Sequence, residues 1–91
     1  MSREIVWTTQ FKKDYILSEK RGLPISLLDD CIRILASGEK LPSHYCDHNL
    51  SGNWNGYREC HIRSDWLLIY RIDGNDLILV LSRTGSHGDL F

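Results

Sequence analysis

Four histidines fall in the second half of the chain, His44, His48, His61 and His87. An imidazole titrates with an unperturbed pKa of about 6.5, so near neutral pH one ring can accept a proton while another donates. Cleavage of a phosphodiester by its neighbouring 2′-hydroxyl needs that pair, a base for the hydroxyl proton and an acid for the departing 5′-oxygen, with a cation to balance charge on the phosphorus centre. His61 lies in an alternating stretch, residues 57–63, that puts Tyr57, Glu59, His61 and Arg63 on one strand face and Arg58, Cys60 and Ile62 on the other. Asp65 follows at a turn, as a carboxylate able to orient an imidazole. Trp66 beside it is either a core residue with Leu68, Tyr70 and Ile72 or a platform for a base. The tail from Arg83 to Phe91 contains Gly85 and Gly88, which allow it to fold back, and Leu90 and Phe91, which can anchor it so that His87 is held over the sheet. Arg83 is the cation nearest that tail. His44, Cys46 and His48 place two imidazoles and a thiol within five positions. No second pair at metal-ligand spacing completes a zinc set, so no metal or cofactor is expected.

The elements that must position these groups can be read from spacing. Residues 4–7 form a short first strand. Thr8 or Thr9 caps a helix through Phe11, Tyr15 and Ile16 that stops at Gly22. Pro24 opens a second helix whose apolar face is Leu27, Leu28, Cys31, Ile32 and Leu35, ending at Gly38. After Pro42 comes a polar, histidine-bearing stretch, then strands over residues 57–63, 66–72 and 77–83. Ser64-Asp65 and residues 73–76 supply the turns. The expected architecture is α+β: a short N-terminal strand, a helical hairpin, and a three-stranded antiparallel meander in one twisted sheet with the helices on one face.

A chain of 91 residues is one domain, spanning 1–91. Its 42% hydrophobic and 25% charged residues are those of a folded globular protein. The apolar runs at residues 66–70 and 77–81 fall far short of the roughly 20 residues that cross a bilayer, and the start lacks a signal peptide's apolar stretch, so a cytoplasmic protein is expected. Cys31, Cys46 and Cys60 are odd in number and widely spaced, and are expected to be reduced. The formal net charge of -1 is not the basic balance common among nucleic-acid binders. Arg3, Lys12, Lys13, Lys20 and Arg21 nevertheless outnumber Glu4, Asp14 and Glu19 in the first stretch, giving one edge that can attract phosphate.

The chain resembles a known family, the YafQ branch of the RelE-type toxins of bacterial toxin–antitoxin operons. The likeness spans nearly the whole chain and rests on Asp47-His48, Leu50-x-Gly52-x-Trp54-x-Gly56-Tyr57-Arg58, His61, Asp65-Trp66-x-Leu68-Ile69-Tyr70, Arg83-Thr84-Gly85-x-His87 and Leu90-Phe91. The resemblance implies a RelE-like fold and a ribosome-dependent messenger RNA endoribonuclease that cuts in the ribosomal A site without metal, leaving a 2′,3′-cyclic phosphate. It assigns acid–base and orienting roles to His48, His61, Asp65 and His87, with His87 the general acid. Trp66 and Phe91 match aromatic positions near substrate, and Arg83 a phosphate-binding arginine. The partners it implies are the 70S ribosome with its mRNA, and a DinJ-like antitoxin with a ribbon-helix-helix half; operator DNA is met only through that complex. The alternatives are a ParE-like gyrase-binding toxin, which has no use for the histidine set, and a non-catalytic binding module.

Overall fold

A computed structural model describes residues 2–91; Met1, the first residue of the 1–91 domain reading, lies outside them. Strand β1 (Glu4–Trp7) leads into helix α1 (Thr9–Lys20), and helix α2 (Ile25–Ser37) completes the hairpin. Strand β2 (His48–Asn49) follows, then β3 (Arg58–Arg63), β4 (Trp66–Asp73), β5 (Ile78–Gly85) and one helical turn, α3 (His87–Leu90). The sheet order is β1-β5-β4-β3-β2, with β1 parallel to β5 and the remaining neighbours antiparallel. The expected meander and hairpin are present. Two elements go beyond the expectation: β2, whose two residues are too few to show any alternation, and α3, in a segment read only as a turning tail.

Local chemistry sets the helix ends. Thr8 caps α1, its hydroxyl accepting from the Phe11 amide at 3.2 Å. Pro24 sits at the N-cap of α2, one position before the first turn in which it was expected. Gly38 ends α2 at φ 84°, a left-handed conformation that costs a residue with a side chain more than glycine.

The helices cover one face of the sheet. There Phe11, Leu28, Cys31, Ile32 and Leu35 pack against Cys60, Leu68, Tyr70, Leu79 and Leu81. Cys31 and Cys60 are free thiols, fully buried, with sulfurs 3.6 Å apart. Their mutual hydrogen bond, followed by burial, pushes the Cys60 thiol well above its ordinary range, so it is a packing group and not a nucleophile. The opposite face carries a second, smaller core of Leu67, Ile69 and Leu90, roofed by Leu50, Trp54 and Tyr57. β4 is thus apolar on both sides, and the segment after β2 and the tail supply the second cover. No helix among the described residues is long and apolar enough to cross a membrane.

Candidate active site

The strand register assembles the site. His48 pairs with Glu59, Glu59 with Ile69, and Ile69 with Arg83, so these four side chains stand in a row across the sheet on the face away from α1 and α2. The next row holds His61, Leu67 and Gly85. A register shift between His61 and Arg63 bends β3 just where it turns toward Asp65. The alternation of residues 57–63 thus delivers Glu59 and His61 to the site and Cys60 to the helical core.

Three imidazoles gather there. The His48 and His61 ring centres are 6.3 Å apart, and those of His61 and His87 5.9 Å. The His48 ring is fixed by its Nδ1, 2.8 Å from the Cys46 carbonyl oxygen, to which it donates. That leaves Nε2 facing the Glu59 carboxylate at 3.6 Å, while His61 Nε2 approaches the same oxygen at 3.4 Å. His87 is held by Asp65, whose Oδ1 accepts from both the His87 backbone amide at 3.0 Å and its Nδ1 at 2.8 Å. The backbone amide first, then the ring, holds the Asp65 carboxyl below the usual carboxylate range. With Nδ1 committed, Nε2 of His87 is the free nitrogen on a ring that is half exposed.

The tail reaches this position through a tight return. Ser86 caps α3 reciprocally with Asp89, the Ser86 hydroxyl accepting from the Asp89 amide at 3.1 Å and the Asp89 carboxylate accepting from the Ser86 amide at 3.0 Å. Asp89 also accepts from Arg21 at the end of α1 at 2.7 Å, tying the tail to the helical hairpin. That guanidinium, and then the Ser86 amide, hold the Asp89 carboxyl down to about 2. Gly85 permits the approach: a Cβ there would lie 3.0 Å from both Cβ and Oδ2 of Asp89.

The other expected residues divide. Phe91 is 59% exposed, with its ring centre 6.4 Å from that of His87. Arg83 pairs with Asp14, its Nε donating to Oδ2 at 2.7 Å and a terminal nitrogen to Oδ1 at 3.3 Å; its Nη1 has no partner among the described residues. The base-platform reading of Trp66 is overturned. The ring is 2% exposed in the helical core, and its N–H is spent on the Thr84 hydroxyl at 3.0 Å. His44 leans on Tyr45 and stays outside the cluster, and the Cys46 thiol meets only the His44 carbonyl. Among the described residues no group of three or more His, Cys, Asp or Glu side chains converges as a metal site.

Two residues were missed. Glu59 was visible in sequence as the neighbour of His61 two positions away on one face. Asp14, 7% exposed, meets Arg83 and the Thr84 amide from a position 69 and 70 residues away in sequence, a contact no local spacing reveals.

Residues 3–91 match the family described as the bacterial toxin of type II toxin–antitoxin systems, YafQ. The chain is 38% identical over 92 residues to the mRNA interferase toxin YafQ of Escherichia coli K12, the match covering all of this chain and 98% of that protein. It superimposes on the crystal structure of an E. coli YafQ H87Q mutant with a TM-score of 0.92 at 38% identity, covering 98% of each chain. It likewise superimposes on the toxin of the E. coli DinJ-YafQ toxin–antitoxin complex with a TM-score of 0.90 at 38% identity, covering 100% of this chain and 99% of that one. With the match running through both histidine-bearing strands and the folded-back tail, the chain belongs to the YafQ family of type II toxin–antitoxin toxins.

Proposed function

We propose that this chain is an mRNA interferase, the toxin of a type II pair, which cuts messenger RNA in the ribosomal A site and is silenced by a DinJ-like antitoxin. The observation that carries the reading is the His87–Asp65 pair, which fixes one imidazole by Nδ1 and leaves Nε2 free beside His61. A phosphodiester seated there meets every group that transesterification needs. His48 or His61 takes the 2′-hydroxyl proton, the 2′-oxygen attacks phosphorus, and His87 protonates the departing 5′-oxygen, leaving a 2′,3′-cyclic phosphate. Because imidazoles carry both proton transfers, the scheme calls for no metal. The uncommitted nitrogen of Arg83 suits a phosphate oxygen, and the exposed Phe91 ring suits a base. The antitoxin relation is carried over from the E. coli complex, in which a YafQ toxin is held by DinJ.

The test is primer extension on a defined mRNA with and without programmed 70S ribosomes, in EDTA, with His87→Ala alongside. We expect cleavage that requires ribosomes, survives chelation and falls by about 10² to 10⁴ in the variant. An intact chain that cuts under no condition overturns the reading.

A further inference from the structure

Glu59 is 5% exposed, and no hydrogen bond reaches its carboxylate among the described residues. No buried side-chain oxygen among the described residues lacks a partner, so the Glu59 oxygens are not sealed from solvent. The basic nitrogens within 4.0 Å of it are His61 Nε2 at 3.4 Å and His48 Nε2 at 3.6 Å, both on the same oxygen, Oε1. The His48 ring donates from Nδ1 to the Cys46 carbonyl and turns Nε2 toward the Glu59 carboxylate. His61 turns the corresponding nitrogen to Glu59 from the adjoining position on β3.

Resting on the cleavage reading above, we infer that Glu59 is a positioning residue that makes His48 and His61 one proton-sharing unit, so that the base of the reaction is the pair and not either ring alone. When one imidazole takes the 2′-hydroxyl proton, the carboxylate between them balances the positive charge and aligns the second ring. The proton stays within the unit until solvent removes it after product leaves. His87 stands outside, its Nδ1 bound to the separate carboxylate of Asp65. The acid and base of the scheme thus each have their own carboxylate.

The remaining charged or titratable groups facing this row are few. Arg83 stands across Ile69 on β5 with Asp14 at its side. Tyr57 precedes Glu59 on the same face, with Arg71 of β4 donating to its hydroxyl at 2.8 Å. His87 and Asp65 close the far side. The cover over this face, Leu50 and Trp54, brings no charge.

The experiment compares wild type with Glu59→Gln, which keeps the shape and removes the charge, and with His48→Ala. A carboxylate between two imidazoles holds the orientation of both rings, so its loss leaves them misaligned for proton transfer. In ribosome-dependent single-turnover cleavage, Glu59→Gln is expected to be slower by about tenfold or more at saturating toxin, with the toxin concentration for half-maximal rate unchanged. In long-range ¹H–¹⁵N spectra of the free protein, the ring signals of His48 and His61 should both change in Glu59→Gln, and those of His61 should change in His48→Ala, while His87 keeps its pattern. A Glu59→Gln protein that cuts at the wild-type rate at saturating toxin, or His48 and His61 spectra indifferent to both substitutions, overturns the inference. The spectra need no RNA, so a wild-type chain that fails to cut defeats the cleavage reading while the proton-sharing unit is still judged by its own signals.

Discussion

On the sheet face under α1 and α2, polar groups serve the fold: the Trp66 indole is tied to Thr84, the Thr84 hydroxyl to the Leu67 carbonyl, and the Tyr70 hydroxyl to Asp47. Burial, then its bond to Asp47, pushes the Tyr70 phenol far above its ordinary range, so it stays neutral. On the other face the polar groups face one another and solvent: three imidazoles, two carboxylates and a half-free guanidinium around a small apolar patch. One side of the same strands thus supplies stability and the other reactivity, joined by the backbone and by the ion pairs Asp14–Arg83 and Arg21–Asp89. A small sheet can do this because strand alternation sends every second residue to each side.

Paired substitutions should separate the faces most sharply. Leu68→Ala, on the helical face and fully buried, is expected to lower unfolding free energy by about 2–5 kcal/mol in urea titration, a large share of the roughly 5–15 kcal/mol of a small domain. His61→Ala is expected to change it by less than about 1 kcal/mol while cutting cleavage by about 10² or more. If both variants lose stability alike, the division fails. Asp14→Ala tests the seam, because Asp14 holds both the Thr84 amide and Arg83. Leaving that amide unmet should cost about 1–3 kcal/mol, and releasing Arg83 should weaken cleavage at subsaturating toxin. Gly85→Ala belongs to the reactive side alone: its new methyl group pushes on Asp89 and Leu90, and cleavage should fall about tenfold or more through a displaced His87, with melting little changed.

The smallest effect is expected from Arg21→Ala, which frees the tail from α1 by removing an exposed ion pair of little weight. Its signature is in acid. Arg21 first, then the Ser86 amide, depress the folded Asp89 carboxyl to about 2. Its contribution is therefore full above the unfolded value of about 4 and lost as pH falls from there toward 2. Wild type and Arg21→Ala should accordingly differ in stability at pH 6 and converge below pH 3, by circular dichroism in urea. A constant gap across that range would mean that Asp89 is not what Arg21 holds.

Where the chain's own periodicity speaks, its fold was legible: the cap at Thr8, the stop at Gly38 and the alternation that set Glu59 and His61 on the face opposite Cys60 all hold. Trp66 was ambiguous because β4 is apolar on both sides, Trp66, Leu68 and Tyr70 on one and Leu67 and Ile69 on the other, so alternation alone could not name the buried one. His48 has no strand signal of its own, since β2 is two residues long and exists only by pairing with β3. Its closeness to Glu59 is a tertiary fact. The Asp14–Arg83 pair is hidden for the same reason, and only the folded chain shows that the expected phosphate ligand is already half engaged.

Asp14 has one more consequence, for crowding rather than chemistry. β1 pairs with β5 only as far as Leu81, so the border of β5 from Ser82 onward would be an open row of backbone donors and acceptors. The Asp14 carboxylate takes the Thr84 amide there, and the Thr8 hydroxyl donates to the Leu81 and Ser82 carbonyls. A side chain in that place satisfies the border without continuing it. Strand addition by another copy of the chain, in the manner of a fibril, is thereby opposed along this stretch.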